Sequence, residues 1–405
     1  MNELPTDWQL KKLSNIINGL KGGVSVRSTD ERATGDSLGV LKTSAVTSGQ
    51  FLPEENKTVI ADDIQRAREH PKAGSVLISR MNTVNLVGAN AYVSKDYKNI
   101  VLPDRLWQMQ VNDLSLYHPR WLGYIMASKY VRTELSRRAT GTSGSMKNIT
   151  KPDVLSIKIP CPPKIEQVSI ARILTHWDLS IEEAEKLIEA KRRFKTSLMQ
   201  NLLTGSKRLK EFKGQVWNKF RLGELFKERR ETNRNDLPLL SITADRGVIY
   251  RNELVKKDTS NADKSKYKRI ASGDIGYNTM RMWQGNSGVS KLEGIVSPAY
   301  TICIPQESIE PDFAGYLFKY PPIIHLFYRF SQGLVSDTLN LKFTNFAQIK
   351  VTIPPVDEQK KIAALLQICD KEIDQLCMFS SALKRQKKGL MQKLLTGNVR
   401  VPVDH

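Results

Sequence analysis

The chain has 405 residues, 40% apolar and 26% charged, a mixture that can bury more than one core and argues against a chain dominated by disorder. Its 62 Lys and Arg against 42 Asp and Glu leave +20, which points first to a polyanion, although ribosome-like or membrane-surface binding would share the sign. Four cysteines (Cys161, Cys303, Cys369, Cys377) form no CxxC pair, no His and Cys fall at zinc-finger spacing, and neither a signal-peptide start nor 18 consecutive apolar residues occurs. The expectation is a soluble cytoplasmic protein without a disulfide framework or structural zinc.

Residues 1–158 consist of short β-branched and aromatic runs broken by Gly, Asn, Asp and Pro, the pattern of an α+β domain. A strand is expected at "GSVLISR" (Gly74 to Arg80), and the stretch "RMNTVNLVGAN" places Arg80, Asn82 and Asn85 on the loop after it. Arginine forks pair with guanine and carboxamides with adenine in the major groove, so these three are base-reading candidates. Asn and Gly also simply make turns, and that alternative stays open. "RRATGTSGSMKN" (Arg137 to Asn148) sets Arg137, Arg138, Ser143 and Lys147 among hydroxyls and glycines, which suits phosphate contact or a flexible hairpin equally.

Residues 159–210 read as one long helix, opened by Pro162-Pro163 and closed by Thr204-Gly205. Ile170, Leu174, Trp177, Ile181, Ala184, Ile188, Lys191, Lys195, Leu198 and Leu202 recur at alternating spacings of four and three, a heptad stripe interrupted by lysine. A bend is expected near Asp178, which suits the cap of a second segment.

Residues 211–350 resume the α+β pattern of residues 1–158, with strands expected at "GDIGYNTMR", "GIVSPAYTICIP" and "FAQIKVTIPP". "NTMRMWQGNSG" offers Asn278, Arg281, Gln284 and Asn286 as base-reading candidates, with packing of the Met-Arg-Met-Trp run as the alternative. The basic stretch "KKDTSNADKSKYKR" (Lys256 to Arg269) contributes Lys264, Lys266 and Lys268 as phosphate-steering candidates or as an ordinary solvated surface.

Residues 351–405 repeat the helix. Sliding the sequence by 192 positions aligns Pro162-Pro163 with Pro354-Pro355, Glu166-Gln167 with Glu358-Gln359, and "LMQNLLTG" with "LMQKLLTG", giving 20 identities over positions 162–208 without a gap. The second stripe runs Ile362, Leu366, Cys369, Ile373, Leu376, Ser380, Leu383, Lys387, Leu390 and Leu394, with a bend and cap expected at Asp370 as at Asp178. Two such helices are most simply buried against each other as a coiled coil, the alternative being that each covers only its own domain. "KRRFK" (Lys191 to Lys195) and "KRQKK" (Lys384 to Lys388) occupy equivalent positions and read as helix surface or subunit contact before DNA contact. Partner-docking candidates are Arg193, Lys195, Leu198 and Leu202 on one helix and Arg385, Lys387, Leu390 and Leu394 on the other. Residues 1–157 and 214–350 each carry +6, so the chain is two similar basic domains alternating with two copies of a helix, an arrangement suited to repeated sites along duplex DNA.

Together, "PPKIEQVSIARIL…LMQNLLTG" and "PPVDEQKKIAALL…LMQKLLTG", preceded by "SRMNTVNLVGANAYV" and by "GDIGYNTMRMWQG…GIVSPAY", resemble the specificity subunit of a type I restriction-modification system over essentially the whole chain. The resemblance implies two target recognition domains of mixed or antiparallel sheet with helices, separated by two long antiparallel helices with pseudo-two-fold symmetry. Each domain would read one half of a bipartite DNA sequence, while the helices fix the spacer and dock two modification (methyltransferase) subunits. Those partners would bind S-adenosylmethionine and methylate adenine N6, and restriction subunits would supply ATP- and Mg-dependent translocation and cleavage. The residues agree by omission: there is no GxxxxGK[ST] loop and no [NSD]-Pro-Pro-[TyrPhe] methyltransferase tetrapeptide, so a non-catalytic chain without a cofactor or metal of its own is expected. A coiled-coil scaffold whose basic domains bind RNA or protein and an enzyme such as a methyltransferase acting alone are the rival readings.

Overall fold

The computed structural model describes residues 4–143, 146–244, 246–254 and 263–402. The chain divides into two compact units, one of Met1–Glu185 with Phe379–His405 and the other of Lys186–Met378. The expected helices are present as Lys164–Leu203 and Val356–Leu395, each of 40 residues. Each contributes about half of its length to either unit.

In unit 1 a four-stranded antiparallel sheet is ordered Lys21–Gly22, Leu106–Met109, Val76–Ser79, Asn90–Tyr92. Gln9–Lys12 pairs with Lys158–Cys161, joining the two ends of the domain at the point where the first long helix begins. The core packs Val76, Ile78, Trp107 and Trp121 against Ile170 and Leu174 of the first long helix and Leu394 and Leu395 of the second. Unit 2 is built in the same way. Its four-stranded sheet runs Phe226–Glu228, Tyr300–Pro305, Ile275–Asn278, Ser287–Val289, and Asn218–Arg221 pairs with Lys350–Ile353. Its core packs Tyr277, Phe313 and Phe346 against Ile362 and Leu366 of the second helix and Leu202 and Leu203 of the first.

Within each unit the two helix halves run antiparallel and are joined by the polar residues of their seam. In unit 1, Asp178 bonds Lys387 while Glu166, nearer the start of its helix, bonds Arg400 beyond the end of the other. In unit 2, Lys195 meets Asp370 and Arg208 meets Glu358. Asp178 and Asp370 therefore do not cap second segments; both helices pass through them unbroken, and their carboxylates are taken up by lysine and tyrosine. Tyr124 donates to Asp178 at 2.6 Å and Tyr316 donates to Asp370 at 2.7 Å. Each helix ends on a glycine in the left-handed region, Gly205 at φ 71° and Gly397 at φ 75°, which explains the repeated Thr-Gly.

Burial and the Asp178 carboxylate push the Tyr124 hydroxyl up to about 12. The folded unit thus holds this proton more tightly than an unfolded phenol, whose value is about 10. The resulting stabilisation is complete below about pH 10 and is lost as pH rises toward 12. Alkaline unfolding of the Tyr124→Phe variant should show a shallower loss of unit 1 stability across that window, measured by circular dichroism.

Candidate nucleic-acid interface

The helices are anchored to each domain by side chains that the duplication places twice. Glu166 is buried and accepts from the Trp8 indole at 2.9 Å and from the Arg400 guanidinium at 2.8 Å and 2.9 Å. Glu358 is buried and accepts from Trp217 at 3.3 Å and from Arg208 at 2.7 Å through both of its oxygens. Gln167 and Gln359, also buried, each accept a backbone N–H of the domain, from His118 at 2.9 Å and Glu310 at 2.8 Å. Removing one partner of a buried ion pair leaves a charge without compensation. Arg208, with a side chain 19% exposed, is the more enclosed arginine, whereas Arg400 is 44% exposed. Arg208→Ala should destabilise unit 2 by about 3 kcal/mol, and Arg400→Ala should cost unit 1 clearly less; denaturant titration with a probe in each unit checks this.

The structure extends the 192-residue register upstream, still without a gap. Pro119, Gly123 and Tyr124 align with Pro311, Gly315 and Tyr316, and Arg137, Gly141 and Asn148 align with Arg329, Gly333 and Asn340. A Pro-x-x-x-Gly-Tyr spacing in that register was the available signal for the tyrosines that bind the helices, and reading apolar periodicity alone misses it. The glycine allows the short helix that carries it, Pro119–Ala127 in unit 1 and Pro311–Leu317 in unit 2, to lie close on the edge strand: a Cβ at Gly123 would meet the Tyr92 side chain at 3.1 Å, and one at Gly315 would meet Val289 at 2.7 Å.

In unit 1 two groups of candidates separated in sequence come together at one end of the sheet. Strand Val76–Ser79 runs into Arg80, whose guanidinium lies 5.7 Å from the Trp107 ring and whose buried Nε has no partner. Met81–Asn82 pairs with Met146–Asn148, so Asn82 faces Lys147 across the ladder. The exposed Asn85 lies on a loop held by Arg132, which donates to the Asn85 and Val87 carbonyls at 3.1 Å and 3.0 Å. Lys147 donates to the Gly141 carbonyl, and Arg137 is exposed beside Glu134. Arg138 faces the protein, donating to the Asp153 carbonyl, Ser156 and Glu134. The backbone of Ser143 ends strand Thr140–Ser143, and residues 144–145 of the glycine-rich stretch lie outside the described residues.

In unit 2, Asn278 ends strand Ile275–Asn278 and its side chain accepts the Met280 N–H at 2.9 Å. The turn that follows leaves Arg281 exposed and Gln284 at the surface while Met282 is fully buried, so the Met-Arg-Met-Trp run divides between packing and surface. Asn286 returns to the sheet with a buried Oδ1 that has no partner. Tyr328 lies beside the turn between Trp283 and His325, its ring centroid 6.4 Å from the first and 6.3 Å from the second. Lys268 donates to the carbonyl of Tyr300, the residue opposite Asn278, and is thereby drawn to this end of the sheet. Lys264 lies over the Tyr267 ring and Lys266 is exposed; residues 256–262 of the same basic stretch lie outside the described residues.

Of the docking candidates, Arg193 and Arg385 are exposed, Leu198 and Leu390 are half-buried, Leu202 and Leu394 belong to the domain cores, and Lys195 and Lys387 are held by aspartates. The helices also expose apolar side chains: Leu179 and Phe379 in unit 1, and Leu187, Phe194, Ile368 and Met378 in unit 2. Among the described residues no group of three or more His, Cys, Asp or Glu is placed to hold a metal, and no helix is long and apolar enough to cross a membrane.

The family described as type I restriction modification DNA specificity domain matches residues 5–192 and 215–376. The type I restriction enzyme MjaVIII specificity subunit of Methanocaldococcus jannaschii is 24% identical over 427 residues, spanning 98% of this chain and 94% of its own length. A second chain of that organism, named as a specificity subunit of the MjaX enzyme, is 25% identical over 433 residues, spanning 99% of this chain and 96% of its own. The crystal structure of a type I restriction-modification S subunit from M. genitalium shares the fold, with a TM-score of 0.59 at 16% identity over 98% of this chain and 97% of that one.

Proposed function

Since the chain belongs to the family of type I restriction modification DNA specificity domains, we propose that it directs a type I complex to a bipartite DNA target, each unit reading one half. The observation that carries this reading is the contrast inside each unit. The features that tie a domain to the long helices are the same twice over, down to the Glu166 and Glu358 anchors and the tyrosine–aspartate–lysine groups. The loops at the end of each central strand differ, "RMNTVN" in one and "TMRMWQ" in the other. A shared scaffold with different loops is what two readers of different sequences require.

In this reading residues 1–158 and 211–350 are the target recognition domains, and residues 159–210 and 351–405 supply the spacer and docking helices. Arg80, Asn82 and Asn85, and Arg281, Gln284 and Asn286, face base edges; Arg137, Lys147, Lys264, Lys266 and Lys268 face phosphates. Arg138 supports the fold of its hairpin. The chain is a non-catalytic, cytoplasmic subunit. Two methyltransferase subunits dock on the long helices through exposed Arg193 and Arg385 and the apolar residues around Phe194 and Phe379, and restriction subunits join that complex. S-adenosylmethionine, ATP and Mg are then bound by the partners. Mapping adenine methylation genome-wide with and without this gene tests the proposal, which predicts loss of one bipartite motif; an unchanged methylation pattern would refute it.

A further inference from the structure

Each unit carries a hairpin beside its candidate reading loop, and the two hairpins share a frame but not a tip. In unit 2, Gln332 and Asn340 exchange backbone hydrogen bonds at 2.9 Å and 2.7 Å, and Leu341 donates to the Thr279 carbonyl at 2.8 Å, seating the hairpin against the turn that bears Arg281 and Gln284. In unit 1, Thr140 faces Asn148, and Ile149 donates to the Arg80 carbonyl at 3.0 Å. The frame residues retained 192 positions apart are Arg137 and Arg329, Gly141 and Gly333, Asn148 and Asn340. Both glycines need their lack of a side chain: φ is 146° at Gly141 and 140° at Gly333, and a Cβ would come within 2.5 Å of the Met146 carbonyl oxygen or 2.6 Å of that of Thr338.

The tips have diverged. The sequence after Gly141 is Thr-Ser-Gly-Ser, whereas that after Gly333 is Leu-Val-Ser-Asp. Leu334 is 101% exposed and Val335 61% exposed, so neither contributes appreciably to the core of its own unit. Single exposed aliphatics are ordinary. Here two adjacent ones crown a hydrogen-bonded hairpin whose base is seated on the turn that bears exposed Arg281 and Gln284, on a chain of net charge +20. Leu, Val and the exposed Asp337 are the wrong composition for phosphates, which take cations, hydroxyls and backbone N–H groups and repel a carboxylate. They suit base edges in the major groove, where the thymine C5-methyl accepts apolar contact and the cytosine amino group donates to a carboxylate.

We propose that the Gln332–Asn340 hairpin is a base-reading element of the second recognition domain, with Leu334 and Val335 packing on a thymine methyl group of its half-site. This rests on the DNA-specificity reading above. The test uses the full chain assembled with its methyltransferase subunits, comparing wild type with the L334S/V335S double variant on the wild-type motif. The variant should lose discrimination by about tenfold at one or two adjacent positions of one half-site that include a thymine, with the other half and the spacer unchanged. Replacing that thymine by deoxyuridine, which lacks only the methyl group, should weaken wild-type binding by a similar factor and leave the variant unaffected. Undiminished discrimination by the variant, equal sensitivity of both proteins to deoxyuridine, or loss of methyltransferase subunits from the variant complex would each overturn the proposal, the last by identifying the tip as a protein contact. A wild-type complex with no preferred DNA sequence would overturn the underlying reading as well.

Discussion

Replacing residues 214–350 with the corresponding segment of another specificity subunit should exchange one half of the methylated sequence and leave the other half and the spacer unchanged. The graft must restore three kinds of connection: a backbone ladder, a small set of polar side-chain contacts, and the apolar packing of the domain on Leu202, Leu203, Ile362 and Leu366. Asn218–Arg221 pairs with Lys350–Ile353 through backbone hydrogen bonds, so an incoming strand of similar length can make the same ladder. The polar side-chain connections to the helices include Trp217 to Glu358, Tyr316 to Asp370 and Asp312 to Gln367, together with Gln359 accepting the Glu310 N–H and donating to the Ser308 carbonyl. A donor that keeps these polar partners and apolar side chains of similar size facing the helices should therefore seat on them. Specific sites are typically bound about 10³-fold or more above non-specific DNA, so methylation at the old half-site should fall to background. Sequencing of methylated adenines before and after the exchange reads the result directly, and a change in both halves, or in neither, would show that the two units do not read independently.

The long helices were legible in the sequence because an amphipathic stripe of ten positions repeated in one register is a strong periodic signal. The strands at Val76–Ser79 and Ile275–Asn278 were legible for a similar reason, their β-branched and aromatic residues being bounded by glycine and asparagine. Less legible was the part of the structure made by polar side chains from distant positions. Asp178 resembled a cap because aspartate is among the residues favoured at helix starts, yet its partners Tyr124 and Lys387 lie 54 and 209 residues away in sequence. The interface shows the same limit. Arg80 and Lys147 were separate candidates in sequence, and a two-residue ladder between Met81–Asn82 and the hairpin brings them to one surface. Arg137 and Arg138 are adjacent and chemically alike, but helix geometry directs the first outward and the second onto Asp153 and Ser156.

Lengthening both long helices by four residues, after Ala184 and after its counterpart Leu376, should lengthen the spacer between the half-sites without altering either half. Both insertions fall close to where each helix passes from one unit to the other, so the anchors inside the units are retained: Asp178 with Lys387 and Glu166 with Arg400 in unit 1, Lys195 with Asp370 and Arg208 with Glu358 in unit 2. Four residues add roughly 6 Å of helix axis and about 400° of rotation, leaving the stripe about 40° from its original face. Adjacent base pairs are about 3.4 Å apart, so an axial change of that size corresponds to one or two base pairs. Two inserted residues would instead rotate the stripe by about 200°, turning Ile188 and Ile373, both buried in the native seam, toward water. Exposing apolar side chains of this size costs about 1.5–3 kcal/mol each, so the two-residue variant should lose thermal stability and methylation activity before any spacer could be read. The four-residue variant decides the question through the motif it methylates: a longer spacer with the same half-sites makes the helix pair the ruler, whereas an active variant that keeps the original spacer would assign that distance to the way the recognition domains sit against the methyltransferase subunits.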